Sequence, residues 1–187
     1  MENNGVGPSD YIPCNAELKS PQTNWEECWR RARLSGLGPE NTSFLFKLLH
    51  ATLVTQERLS RTNPTVSSNC KVSGCPGTMA EDIEHALVHC PGNHGVGTSV
   101  LRSLTNFAPG LDVKDALLLD FNVDESLELP LVWAFAVAWG SIWDMRQSKT
   151  RPQLYLVRAQ MEAKVALLRE SRFTNAASII ETIIETI

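Results

Sequence analysis

Residues 129–148 read LPLVWAFAVAWGSIWDMRQS. From Leu129 to Trp143, between Glu128 and Asp144, about fifteen residues pass without a charge. That run falls short of the roughly 20 apolar residues that cross a bilayer, so it reads as a core helix and no membrane is expected. Pro130 sits in its expected first turn, where a missing backbone N–H is tolerated. The run carries Trp133, Trp139 and Trp143, and with Trp25 and Trp29 makes five tryptophans that need burial or a partner.

Working outward, the flanking sequence repeats the helical theme. Thr23 and Glu26 have capping-box spacing, which starts a helix near Trp25, and Gly36 and Gly38 end it. Pro39 or Asn41 opens the next, whose Phe44, Leu45, Leu48, Leu49 and Leu53 call for deep burial. A short helix around Gln56–Ser60 follows. Thr78 and Glu81 again have capping-box spacing, before EDIEHALVH, which Pro91 stops. Val96 to Phe107 reads as a helix that Pro109-Gly110 ends. Residues 111–123 are ambiguous between a short helix and an extended piece. Pro152 begins a long amphipathic helix to about Ser171, and Ile179, Ile180, Ile183, Ile184 and Ile187 form a helical stripe at the end. No strand-like alternation is sustained, and no internal repeat is apparent. The expected fold is all-α with an inserted zinc knuckle.

The chain has 187 residues, 43% hydrophobic and 20% charged, a globular mixture with enough length for one real core. Residues 1–21 read as a mobile lead-in, 22–172 as a single helical zinc-binding domain with its knuckle at about 68–92, and 173–187 as an amphipathic helical tail. MENNGVGPSDYIP has no basic start and no apolar run, so no export signal is expected. An odd set of five cysteines without such a signal implies reduced thiols and an intracellular setting, cytoplasm or nucleus. Cys28 reads as a small buried hydrophobe and Cys14 as an exposed free thiol.

Cys70, Cys75, His85 and Cys90 follow C-x4-C-x9-H-x4-C. Zinc takes four N or S ligands in a tetrahedron, and three cysteines with one histidine close that shell. A closed shell points to one structural Zn2+ rather than a catalytic ion, which would keep a water position. Gly74 allows a tight turn between the first two thiols. Five residues separate His85 from Cys90, about one and a half α-helical turns, so the chain has to leave the helix at Pro91 to bring the last thiolate back. Glu81, Asp82 and Glu84 are candidates to accept the free ring N–H of His85. His89 and His94 are rival nitrogen ligands, and His50 reads as a core or boundary histidine. The H-x-E…P-C-x-x-C deaminase signature is absent. NHGVG has too few glycines for a phosphate loop and no following Lys.

The net charge is −4, unevenly spread. Residues 22–72 carry seven Lys/Arg against four Asp/Glu, 73–145 two against ten, and 146–172 seven against two. If the two basic segments meet they form a face for phosphates, with Arg30, Arg31, Arg33, Arg58, Arg61, Lys71, Arg146, Lys149 and Arg151 as candidate contacts.

These stretches, taken in order, resemble a known family. NWEECWRRARLSGLGPE is followed by SFLFKLLHATLVTQERLSR, similar to "fKllH…lpT…Rl". Cys70 and Cys75 come next, then EDIEHALVHCPGN, similar to "E-T/D-x-x-H-x-L-x-x-C", then VWAFAVAWGSIWDMR and VRAQMEAKVALLRESRF. Over roughly residues 24–173 the chain resembles the C-terminal zinc-binding (CCHC-type) region of non-LTR (LINE-type) retrotransposon reverse transcriptases. Two departures stand out. The x4 spacer between the first cysteines is longer than in many members, and Val54 replaces the usual proline. The resemblance implies zinc on Cys70, Cys75, His85 and Cys90. It also implies contact with RNA or DNA during target-primed reverse transcription, and a reverse transcriptase core in a parent polyprotein as partner. Polymerase Asp-Asp and endonuclease signatures are absent from the chain, so no enzyme activity is expected. A different expectation is a protein-interaction or oligomerisation scaffold, a host-adopted retroelement fragment, using the Trp25/Trp29 face and self-associating through the Ile-rich tail.

Overall fold

Helix α6 (Glu125–Gln147) runs through the middle of the molecule and buries fifteen of its 23 residues. Trp133, Phe135, Trp139 and Ile142 are almost wholly enclosed. The computed structural model describes residues 23–171 and 173–187. The expected lead-in and Cys14 lie outside the described residues.

The described residues form seven further α-helices, α1 (Trp25–Arg31), α2 (Gly38–Leu49), α3 (Gln56–Thr62), α4 (Val96–Thr105), α5 (Val113–Leu118), α7 (Leu154–Glu170) and α8 (Thr174–Thr186), of which α1, α2, α4, α7 and α8 pack on α6. Among the described residues there is no strand, only one antiparallel bridge between Asn69 and Ala80. The all-α expectation therefore holds. By length and composition α6 would pass for a membrane-crossing helix, but most of it is packed inside the chain. Phe121, Phe135 and Trp139 form a ladder with successive ring centroids 5.9 Å apart.

Local details differ from the sequence reading for identifiable reasons. α6 starts four residues before Leu129, so Pro130 lies inside the helix rather than in its first turn. Asn24, not Thr23, caps α1, its side chain accepting from the Glu27 N–H at 3.3 Å. The ambiguous stretch contains α5, which Asp112 caps by accepting from the Asp115 N–H at 2.8 Å. Leu119 then turns into the left-handed region (φ 59°) and the chain extends toward α6.

Three expectations need correction. The segment 173–187 is helical and amphipathic as expected, but it belongs to the packed body. α8 packs on α6 and α7, and Ser103 Oγ in α4 donates to the Thr186 carbonyl at 2.8 Å. Ile180, Ile183 and Ile184 are buried there, so the stripe offered for self-association is spent within the chain. Arg31 is not a surface cation either. Nη1 donates to the Leu119 carbonyl at 2.7 Å, Nε to Glu128 at 3.0 Å, and the guanidinium lies 4.6 Å from the centre of the Phe121 ring. It fastens α1 to the start of α6. Trp29 is buried as well, so the Trp25/Trp29 face is largely core.

Ile180→Ala is expected to cost about 2–5 kcal/mol in a urea titration, as for a well-packed core isoleucine. A loss below about 1 kcal/mol would show α8 to be loosely held. Cys28 supplies a pH test. Burial, then Asp120, pushes its thiol from about 9 to about 12. A folded-state value above the unfolded one stabilises below pH 9, and the contribution is lost as pH rises from there toward 12. The stability difference between wild type and Cys28→Ala should therefore fall above pH 9 by about 1.4 kcal/mol per unit. A difference independent of pH would contradict the burial.

Candidate metal centre

Cys70 sits where the Asn69–Ala80 bridge closes a loop. Its N–H donates to the Met79 carbonyl at 3.0 Å, and the Glu81 N–H donates to Ser68 at 2.9 Å. Inside the loop the Cys75 N–H donates back to Val72 at 3.0 Å, with Gly74 at φ +85°. A side chain at Gly74 would be strained in that conformation, so the expected tight turn rests on this glycine.

The other two donors come from residues 82–90. Asp82, not Thr78, caps this segment, its side chain accepting from the His85 N–H at 2.6 Å. His85–His89 then winds as a π turn, and the Cys90 N–H donates to the His85 carbonyl at 2.8 Å, five residues back. This wider ring answers the spacing problem. An α-helix advances about 500° over five residues and would point the two side chains apart. A five-residue ring returns Cys90 to nearly the same face as His85. Cys90 then turns extended (φ −60°, ψ 120°) into Pro91.

The two halves press together at Gly92, where a Cβ would lie 2.6 Å from Val72 Cγ1 and 2.8 Å from the Ser73 carbonyl oxygen. The π turn is seated against α4 in a similar way, since a Cβ on Gly97 would fall 2.0 Å from the Leu87 carbonyl oxygen.

The result is a group of four donor atoms, from Cys70, Cys75, His85 and Cys90, all within 4.8 Å of one another. Cys70 Sγ and Cys90 Sγ are 3.7 Å apart, and Cys75 Sγ lies 3.6 Å from His85 Nε2. A tetrahedral zinc with bonds of about 2.3 Å to sulfur and 2.0–2.1 Å to nitrogen separates S from S by about 3.8 Å and S from N by about 3.5 Å. The donor set fits such an ion. Burial, then the nearby Arg146 cation, holds the His85 imidazole below the usual histidine range, which favours the neutral ring that a metal needs. Burial pushes the Cys70 thiol up, with a hydrogen bond from Arg146 opposing it.

The acceptors expected for the histidine ring are otherwise engaged. Asp82 serves as the cap, Glu84 lies 3.1 Å from His89, and Glu81 lies 3.2 Å from Arg146. His85 Nδ1 is buried with no hydrogen-bond partner among the described residues. The rival nitrogens are elsewhere. His89 is exposed toward Glu84, and His94 Nδ1 meets Arg151 Nη2 at 2.6 Å. His50 lies at the core boundary with its ring 4.6 Å from that of Trp29.

Arg146, read in the sequence as a phosphate contact, is buried at the metal group. Its Nη1 donates to Asn93 Oδ1 at 2.9 Å, and Nη2 to Cys70 Sγ at 3.7 Å. Nothing in the local sequence marks it, because the contact spans 76 positions. Of the other basic candidates, Arg30 pairs with Glu27 and Glu128, and Arg61 with Glu57. Arg58 donates to the Ala51 carbonyl, and Arg33 stacks over Phe46. Lys71, Lys149 and Arg151 are exposed. Lys71 follows Cys70 in the loop, and Arg151 borders it through His94, whose Nε2 faces Gly74.

With metal bound, the amides of residues 70–93 should resist hydrogen exchange. A chelator should release them by at least tenfold while α6, α7 and α8 keep their protection. Unchanged exchange in the stripped protein would mean that the segment holds itself together unaided. Comparison with protein-family models, curated proteins and solved structures finds no match to this chain.

Proposed function

We propose that this chain is a non-catalytic zinc-binding accessory domain of a non-LTR retrotransposon reverse transcriptase. In this reading residues 68–92 form a knuckle around one structural zinc, and the cations beside it contact RNA or DNA inside the cell. The observation that carries the reading is the Cys3His group, whose four donor atoms lie within 4.8 Å of one another, two of the separations (3.7 and 3.6 Å) being those of a tetrahedral zinc. Four protein ligands leave no position for a reactive water, which favours a structural role. The order of resembling stretches supplies the retroelement context. Lys71 and Arg151, exposed at the metal loop, and Lys149, exposed just past the end of α6, are the phosphate contacts this reading favours.

A second reading is docking on a protein, such as a polymerase core. An apolar groove lined by Leu37, Pro39, Trp133, Leu167 and Leu168 favours it, because Leu167 is 63% exposed.

Purified protein should contain one zinc per chain by metal analysis, and His85→Ala should lose it. Fluorescence titration should show binding to RNA or DNA at about 50 mM salt, weakening roughly 20- to 40-fold by 200 mM for three phosphate contacts. Replacing Lys71, Lys149 and Arg151 with alanine should remove most of that salt dependence. Absence of any binding at the lower salt would sink the nucleic-acid reading and leave protein docking.

A further inference from the structure

The four donors are not equivalent. Cys70, Cys90 and His85 are 3%, 1% and 4% exposed, whereas Cys75 is only half-buried. The guanidinium of Arg146 divides the group in the same way. It donates to Cys70 at 3.7 Å, and the Cys70 sulfur lies 3.7 Å from that of Cys90, whereas among the described residues the guanidinium makes no hydrogen bond to Cys75. It is also held by Glu81 at 3.2 Å and Asn93 at 2.9 Å, on the two segments flanking the π turn. The side chain is thus locked from both sides, on a helix that is itself enclosed. An N–H donated to a thiolate draws charge from the sulfur and lowers its nucleophilicity, and burial bars reagents from it.

We propose that the Arg146–Glu81 pair holds Cys70 and Cys90 as the closed half of the metal centre, leaving Cys75 as the one thiolate at which electrophiles open it. Arg146 is a positioning residue, acting on the metal through the Cys70 sulfur and, beside it, that of Cys90. The inference rests on the zinc reading above. The step is a simple displacement. The Cys75 sulfur attacks the methylene carbon of an alkylating agent such as iodoacetamide, an S–C bond forms, the C–I bond breaks and iodide leaves. The neutral thioether is a poor ligand, so the Zn–S bond is lost and the ion passes to a competing chelator.

The test uses the zinc-loaded full chain with limiting iodoacetamide, each cysteine followed by peptide mass spectrometry and zinc release by a chromogenic chelator. In wild type, Cys75 should be alkylated at least tenfold faster than Cys70 or Cys90, and zinc should leave at the Cys75 rate. Cys28, 0% exposed and remote in sequence, reports global unfolding by its own labelling. In Arg146→Met the Cys70 and Cys90 rates should rise at least tenfold with Cys28 still protected, and zinc affinity should drop 10- to 100-fold. Arg146→Lys should restore part of both and decides the matter if the methionine variant labels at Cys28. Wild-type protein without zinc would overturn the zinc reading itself. Zinc-loaded wild type labelled at Cys70 or Cys90 as fast as at Cys75, or Arg146 variants with unchanged rates, would overturn the inference alone.

Discussion

A 23-residue helix with apolar side chains pointing in most directions has to be covered on most sides. α6 meets that demand by drawing α1, α2, α4, α7 and α8 around itself. The isoleucines of α8 close one flank. Arg31 and Glu128 close the N-terminal end, where a buried guanidinium donates to the half-buried carboxylate and to the Leu119 carbonyl. Some polar groups in this core are partnered, as with the Ser141 hydroxyl, which lies 2.6 Å from both the Val137 carbonyl and Gln160 Oε1, whereas Trp29 Nε1 and Trp139 Nε1 are buried with no partner among the described residues.

The same helix reaches the metal group. Arg146 stands one residue from its C-terminal end, and its guanidinium enters a region built almost wholly from residues 68–93. A buried guanidinium must find acceptors for its donors, and here they are Glu81, Asn93 and cysteine sulfur. Asn93 extends the chain of bonds by donating to the Ala86 carbonyl at 2.8 Å, inside the π turn. The candidate ligand group and the helical core therefore share one hydrogen-bonded network rather than merely touching.

Much of this was legible in the sequence. The apolar runs of α2 and α6, the amphipathic pattern of α7 and the capping signals gave the helical class, because each depends on neighbours within a few residues. The Cys3His group was legible for the same reason, its members lying within 21 positions. What escaped were relations across long separations. Arg31 and Arg146 look like any surface arginine until Glu128 and Glu81 are placed beside them. The isoleucine stripe of α8 states that a face must be covered, and says nothing of whether this chain or another covers it. The π turn escaped for a different reason, since i→i−5 pairing has no composition of its own.

That π turn changes how the spacing between His85 and Cys90 can vary. Two ligands four residues apart share a face of an ordinary α-helix, and two ligands five apart share one across a π ring. Removing one residue between them would let the segment relax to a regular helix with both side chains still aimed inward. Adding one would carry the thiolate off the face, with no helical form to bring it back. The spacer is thus a tolerant measure in one direction and a hard limit in the other, an asymmetry that a bare count of intervening residues conceals.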